Sequence, residues 1–244
     1  MDLLSQFAVK TYLPIHFLGY DFSMTNASFF MILSVMCFCV VSNLALKSQN
    51  VIPTPLQSFL EIVYQFLIQT VKTFSGKEGA IYFPYFFALF SFIFVSNLLG
   101  IIPSFFTTTS QIILTLSMAF MVFISVIFIG IKKHKMHFFS LFIPKNVPWY
   151  IAVILVPIEV ISYIAKPFSL AIRLFANMLA GHILLKIFAS FAAMSVGKLF
   201  IPISSLSFFI NLAFTFFEIG VAFLQAYIFT ILSCIYLKDA LYLH

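Results

Sequence analysis

The sequence predicts an all-α polytopic membrane protein with about five membrane crossings and one amphipathic helix on a membrane surface. Three observations carry that expectation. Of 244 residues, 63% are hydrophobic and only 8% are charged, whereas soluble domains carry about 25% charged residues. So few charges cannot coat a water-facing surface of this size. The apolar residues fall into long runs, each at least the roughly 20 residues that cross a bilayer as a helix. The lysines sit at the ends of those runs, so the net charge of +6 is a topology signal and not a nucleic-acid interface.

The elements follow in chain order. Residues 1–27 are mixed in polarity, with Asp2 and Asp21 and no Arg. They fit neither a secretory signal nor an organellar transit peptide, and read as an outer N-terminal segment. The first span is 28–46, SFFMILSVMCFCVVSNLAL. Segment 51–79 is interrupted by Pro53, Pro55, Glu61, Lys72 and Lys77. Its Leu56, Phe59, Leu60, Val63, Phe66, Leu67 and Thr70 nevertheless recur at helical spacing, which predicts an amphipathic helix lying on the inner membrane surface. Residues 81–102 and 111–131 contain no charge and are plain spans. A polar loop, 132–147, precedes two very long runs, 149–196 and 199–237.

These last runs exceed any simple crossing. At 1.5 Å per residue they would reach about 72 Å and about 58 Å, against a hydrocarbon core of about 30 Å. A tilt of about 20° does not absorb the excess. Steeply inclined helices, packed as a wall along another body, or helices broken at Pro157, Pro167 or Pro202, are the two solutions.

Charge sets the sidedness. Lys47, Lys72 and Lys77 lie in 47–79. Lys132, Lys133, Lys135 and Lys145 lie in 132–147, where there is no acid. Residues 103–110 (PSFFTTTS) carry no charge. The positive-inside rule then puts 47–79 and 132–147 inside, with the N-terminus outside and the C-terminus inside.

Several features carry no chemistry. Cys37, Cys39 and Cys234 lie in apolar runs and read as small packing residues, not as a disulfide or a metal site. His134 and His137 belong to the polar loop. Gly76 to Gly79 (GKEG) is too short for a phosphate loop, so no ATP site, cofactor, metal or catalytic residue is expected. The 35 Phe residues, and twelve Lys against a single Arg, point to an A+T-rich genome.

An ionisable side chain inside a span costs about 2.5–3.5 kcal/mol to insert even on the lenient scale, so each is a functional hypothesis. Here they crowd into the last third: Glu159, Lys166, Arg173, His182 and Lys186, then Asn211, Glu218 and Gln225. Glu159, Lys166 and Arg173 are seven apart and share a helix face, with Asn177 one turn on. His182 is nine residues from Arg173 and points the other way. Asn211, Glu218 and Gln225 form a second stripe. A cation set between two polar faces suits two aqueous paths separated by a positive barrier. Arg173 as a structural ion-pair partner of Glu218, His182 as a structural histidine, Asn211 as interhelical glue and Lys186 as a snorkelling lysine are the competing readings.

The stretch SLAIRLFANMLAGH from Ser169 strongly resembles the signature of subunit a of the rotary F-type ATP synthases. The resemblance extends to EVISYIAKP from Glu159 to Pro167, SNLLGIIP at 96–103 and LQAYIFTILSCIYLKDAL at 224–241. It implies that Arg173 faces the carboxylates of a rotating c-ring, with Asn177 and Gln225 near it. It further implies that Glu159 belongs to an inner half-channel, and that His182 and Glu218 line an outer one. The commonest bacterial pattern has Glu and His exchanged at these last two positions, so the chain looks like the mitochondrial and alphaproteobacterial members. The resemblance implies a non-catalytic, proton-translocating subunit whose last two helices lie against the c-ring. Its other partners would be peripheral-stalk and further membrane-sector subunits, the lipid bilayer and protons. The mitochondrial inner membrane is the expected location and an alphaproteobacterial plasma membrane the alternative. A secondary transporter or ion-coupled permease is the rival function, weakened by the lack of a visible internal repeat. A non-conducting scaffold is a third, weakened by the intramembrane Arg.

Overall fold

The structure is a computed structural model that describes residues 8–14, 16–17, 20–21, 23–47, 53–102, 105–135, 138, 149–196 and 201–242. Lys145 and His137 lie outside the described residues, as do positions 103–104 of the uncharged loop. Among the described residues six α-helices dominate: α1 Asn26–Leu46, α2 Pro55–Gly79, α3 Phe83–Ile101, α4 Ile112–His134, α5 Trp149–Val196 and α6 Ile201–Leu241. Among the described residues, five helical stretches are long and apolar enough to cross a membrane, with α2 and α3 joined in one of them. The all-α polytopic class is therefore what the sequence composition predicted.

The N-terminal segment differs from expectation, because it contains short antiparallel pairs. β1 (Thr11–Leu13) pairs with β4 (Met24–Thr25), and β2 (His16–Phe17) with β3 (Tyr20–Asp21). Asn26 locks this segment to α1. Its side-chain oxygen accepts from Lys10 N at 3.2 Å and its amide donates to the Ala8 carbonyl at 3.1 Å. Thr25 and Ser28 exchange side-chain to backbone hydrogen bonds at 3.0 and 3.3 Å, satisfying orphan donors as a capping box does.

Packing divides the chain into two units, each assembled from three separate stretches. The first comprises 1–40, 92–112 and 174–226; the second comprises 41–91, 113–173 and 227–244. Helix α5 passes from the second unit to the first after Arg173.

In the first unit Phe30 meets Phe105 and Phe106, with ring centroids 5.3 and 6.4 Å apart. Phe94 meets Phe223 edge-on at 5.8 Å, and Phe188 stacks on Phe214 at 5.2 Å. Ala222, Ala226 and Met178 are fully buried. Small residues at helix contacts let backbones approach closely, the main route to helix association where lipid offers no hydrophobic contrast.

In the second unit α2 starts at the Thr54 cap, whose hydroxyl accepts from Gln57 N, with Pro55 in the first turn where no backbone donor is needed. Its apolar residues split between two faces. Leu67 and Val71 are buried, while Leu56, Phe59 and Ile62 are exposed. Near its end the helix is broken at Gly76, at φ 75°, a conformation that only glycine adopts freely. A Cβ there would come within 3.1 Å of the Tyr242 hydroxyl. Lys133 pairs with Glu78 and donates to the Leu241 carbonyl at 3.1 Å, and His134 Nε2 lies 2.9 Å from the same carbonyl. The histidine read as part of a solvated loop is thus part-buried against the end of α6. A carbonyl near a helix C-terminus has no intrahelical donor, so these side chains serve as its cap.

The exposed surface is apolar. Ile113, Phe128, Ile154 and Phe216 are among many large side chains more than 60% exposed. Contiguous exposure of this kind is foreign to soluble monomers and ordinary for a protein whose solvent is lipid.

Candidate functional site

The polar centre of the first unit is built by α5, α6 and the loop after α3. His182 and Glu218 are each 5% exposed. The imidazole Nδ1 stands 3.8 Å from Glu218 Oε1, too long for a hydrogen bond and short enough for one small movement or one water to connect them. Gly181 makes room for the carboxylate. A Cβ at that position would lie 2.7 Å from Glu218 Oε1.

The other side of the imidazole is held from the loop. Thr107 Oγ1 lies 2.9 Å from His182 Nε2. Thr107, Thr108, Thr109 and Ser110 are all buried, although they belong to a connection between helices. Thr109 donates to Asn97 Oδ1 at 2.8 Å, and the Ser110 hydroxyl donates to the Thr107 carbonyl at 2.7 Å. This hydroxyl cluster was not anticipated. Its sequence signal was the uncharged run of Thr and Ser, which marks a loop but not its burial.

Some polar atoms here are buried without a hydrogen-bond partner among the described residues: Ser96 Oγ, Asn97 Nδ2, Thr108 Oγ1 and both carboxylate oxygens of Glu218. Buried polar groups are almost always satisfied, by protein or by ordered water.

Gln225 is buried on α6, one heptad beyond Glu218, and Asn211 is half-buried one heptad before it. The sequence-predicted stripe therefore lies on the inward side of α6. Asn211 Oδ1 also has no hydrogen-bond partner among the described residues.

The remaining predicted residues lie on the opposite kind of surface. Along α5, Tyr163, Pro167, Leu170, Ala171, Leu174, Met178 and His182 are buried. Glu159, Arg173 and Asn177 occupy the exposed face between them, together with Ser162, Ala165, Ser169, Ala176 and Ala180. Among the described residues, no ion-pair partner meets either Glu159 or Arg173.

Lys166 departs from the face shared with Glu159 and Arg173. Its amine pairs with Asp239 at 3.3 Å and sits 5.0 and 5.1 Å from the ring centroids of Tyr163 and Tyr236. A long flexible side chain lets the amine leave the direction its Cα sets, and an acid with two aromatic faces attracts it. Glu159 and Lys166 are therefore not a structural pair. No group of three or more His, Cys, Asp or Glu that could hold a metal occurs among the described residues.

Comparison of the amino-acid sequence with known proteins points to one family. Residues 28–238 match the family described as ATP synthase A chain. Proteins named ATP synthase subunit a resemble the chain over nearly its whole length. That of Beijerinckia indica is 43% identical over 99% of this chain and 96% of its own. That of Hyphomonas neptunium is 44% identical over 99% and 96%, and that of Ehrlichia ruminantium 44% over 99% and 98%. Matched over residues 28–238 and more than 40% identical to these proteins along nearly its whole length, the chain belongs to the ATP synthase A chain family.

Proposed function

We propose that this chain is the stationary proton-channel subunit of an F-type ATP synthase membrane sector, passing protons to and from a rotating ring of carboxylate-bearing subunits through two offset half-channels. The observation that carries the reading is Arg173. It is the chain's single arginine, exposed on α5 beside Ile172, Phe168 and Ala176, with no counter-ion among the described residues. A guanidinium stays charged at any relevant pH. Left against lipid it would be strongly unfavourable, so its face calls for an anionic partner from another chain. The small residues flanking it, Ser169, Ala176 and Ala180, let a partner helix approach closely.

In this reading His182 and Glu218, with the hydroxyl cluster of 107–110, form the outer half-channel, and Glu159 lines the inner one. Arg173 stabilises the ionised carboxylate of the ring and repels protons, so that none leaks directly from one path to the other. Asn177 and Gln225 supply polar contacts near that exchange point. The chain makes no covalent bond and binds no nucleotide. The ring, peripheral-stalk and other membrane-sector subunits are its protein partners. The relatives come from alphaproteobacteria, which supports a bacterial plasma membrane over a mitochondrial inner membrane. Nothing in the comparisons favours a transporter.

Two experiments test the proposal. Proteoliposomes should conduct protons only when the chain and a purified ring are reconstituted together; equal flux from the chain alone would identify a self-sufficient permease instead. A single cysteine at Ile102 or Phe105, at the accessible edge of the uncharged loop, should label only from the outer side, and one at Lys132 or Lys135 only from the inner side. Labelling of both loops from one side would overturn the orientation.

A further inference from the structure

We propose that Thr107 is a positioning residue of the outer proton path, holding the His182 imidazole by Nε2 so that Nδ1 stays turned toward Glu218. This rests on the proposed role of the His182 and Glu218 pair and adds a third member to it.

The geometry makes the hydroxyl central. Thr107 is 1% exposed. Its Oγ1 lies 2.9 Å from His182 Nε2 and 3.5 Å from the Gly100 carbonyl. Gly100 permits this placement, since a Cβ there would fall 2.6 Å from Thr107 Cγ2. The loop is thus wedged between the end of α3 and the imidazole, and the hydroxyl has little freedom to leave.

A hydroxyl both donates and accepts, which matters for a group that must gain and lose a proton. When the neutral imidazole carries its proton on Nδ1, Thr107 donates to Nε2. When Nε2 is protonated, alone or in the imidazolium, Nε2–H donates to Thr107 and the hydroxyl proton turns to the Gly100 carbonyl. The ring therefore keeps one orientation through every protonation state, with the same nitrogen 3.8 Å from Glu218 Oε1. A methyl in place of the hydroxyl would leave a buried ring nitrogen without this partner and free the ring to turn.

The test uses membrane vesicles carrying the complete membrane sector, stripped of the catalytic head, and reads passive proton conductance under an imposed potential. Thr107→Val keeps the shape and removes the hydroxyl; it should slow conduction by about tenfold, the effect of one lost buried hydrogen bond. Thr107→Ser keeps the hydroxyl and should restore conduction to within about twofold of the parent. Assembly is checked by co-purification of the ring, and Thr107→Ala replaces the valine variant if the latter fails to assemble. Parent-like conduction without the hydroxyl, or equal losses in the serine and hydroxyl-free variants, would overturn the assignment. His182→Ala is measured alongside: a block there with parent-like Thr107→Val refutes only the role of Thr107, while parent-like conduction in His182→Ala refutes the reading of the pair itself.

Discussion

Replacing Arg173 with alanine will abolish ATP-coupled proton transport while the membrane sector still assembles. The two halves of that expectation come from the same observation. Arg173 is exposed on α5, whereas its neighbours Leu174 and Met178 are fully buried. Truncation therefore removes almost none of the packing that holds α5. What disappears is the fixed positive charge that the ring carboxylate would meet. Loss of one preorganised electrostatic group commonly slows a reaction by about a hundredfold or more, and here the barrier to direct leak goes with it. Arg173→Lys should also fail to support synthesis, because an ammonium is a point charge with a labile pKa and lacks the planar fork that addresses a carboxylate. The measurement is ATP synthesis and ATP-driven acidification in inverted vesicles, with subunit stoichiometry checked after purification. A normal synthesis rate in Arg173→Ala, in a complex of normal composition, would end the assignment.

The next largest effect is expected at His182 and Glu218. Both are buried, and removing either leaves the other without its natural partner in a medium where unpaired charge is costly. Each single replacement by alanine should slow proton conduction by roughly tenfold or more. The exchange His182→Glu with Glu218→His keeps both functional groups at two positions whose parent side chains lie 3.8 Å apart, and should conduct better than the worse of its two component single changes. Gly181→Ala gives an independent probe, because the new methyl must displace a carboxylate oxygen that stands 2.7 Å from its position. It should impair conduction although it removes no polar group. A double exchange no better than the worse single, together with a parent-like Gly181→Ala, would show that the two side chains do not work as a pair.

The limits of the sequence are visible at particular residues. Composition and run length made the fold class legible, since 8% charge leaves a chain little choice of solvent. Seven-residue spacing showed which side of α6 carries Asn211, Glu218 and Gln225. Helical periodicity reports a face, however, and not what lies across from it. It could not reveal that Lys166 reaches Asp239, since that contact joins positions 73 residues apart. It could not separate the two apolar faces of α2, because lipid and protein interior select the same residue types. The buried threonines of 107–109 were hidden for a different reason: connections normally run over the surface, and only tertiary structure shows this one turned inward. The strand pairs of residues 11–25 were missed because strands of two or three residues are too short to show a period.

The division of each unit among three separated stretches bears on biosynthesis. Lys133 meets the Leu241 carbonyl across 108 residues, an interval that a ribosome takes on the order of ten seconds to make. During that time α2 and α4 lack the stretch 227–244 that completes their unit. The first unit waits likewise for the start of α6. The Thr107–His182 contact can form once α5 is made, whereas the pairing of His182 with Glu218 must wait for α6. A nascent chain halted before α6 would hold Lys166 without Asp239 and His182 without Glu218, a defect that a membrane protease could recognise.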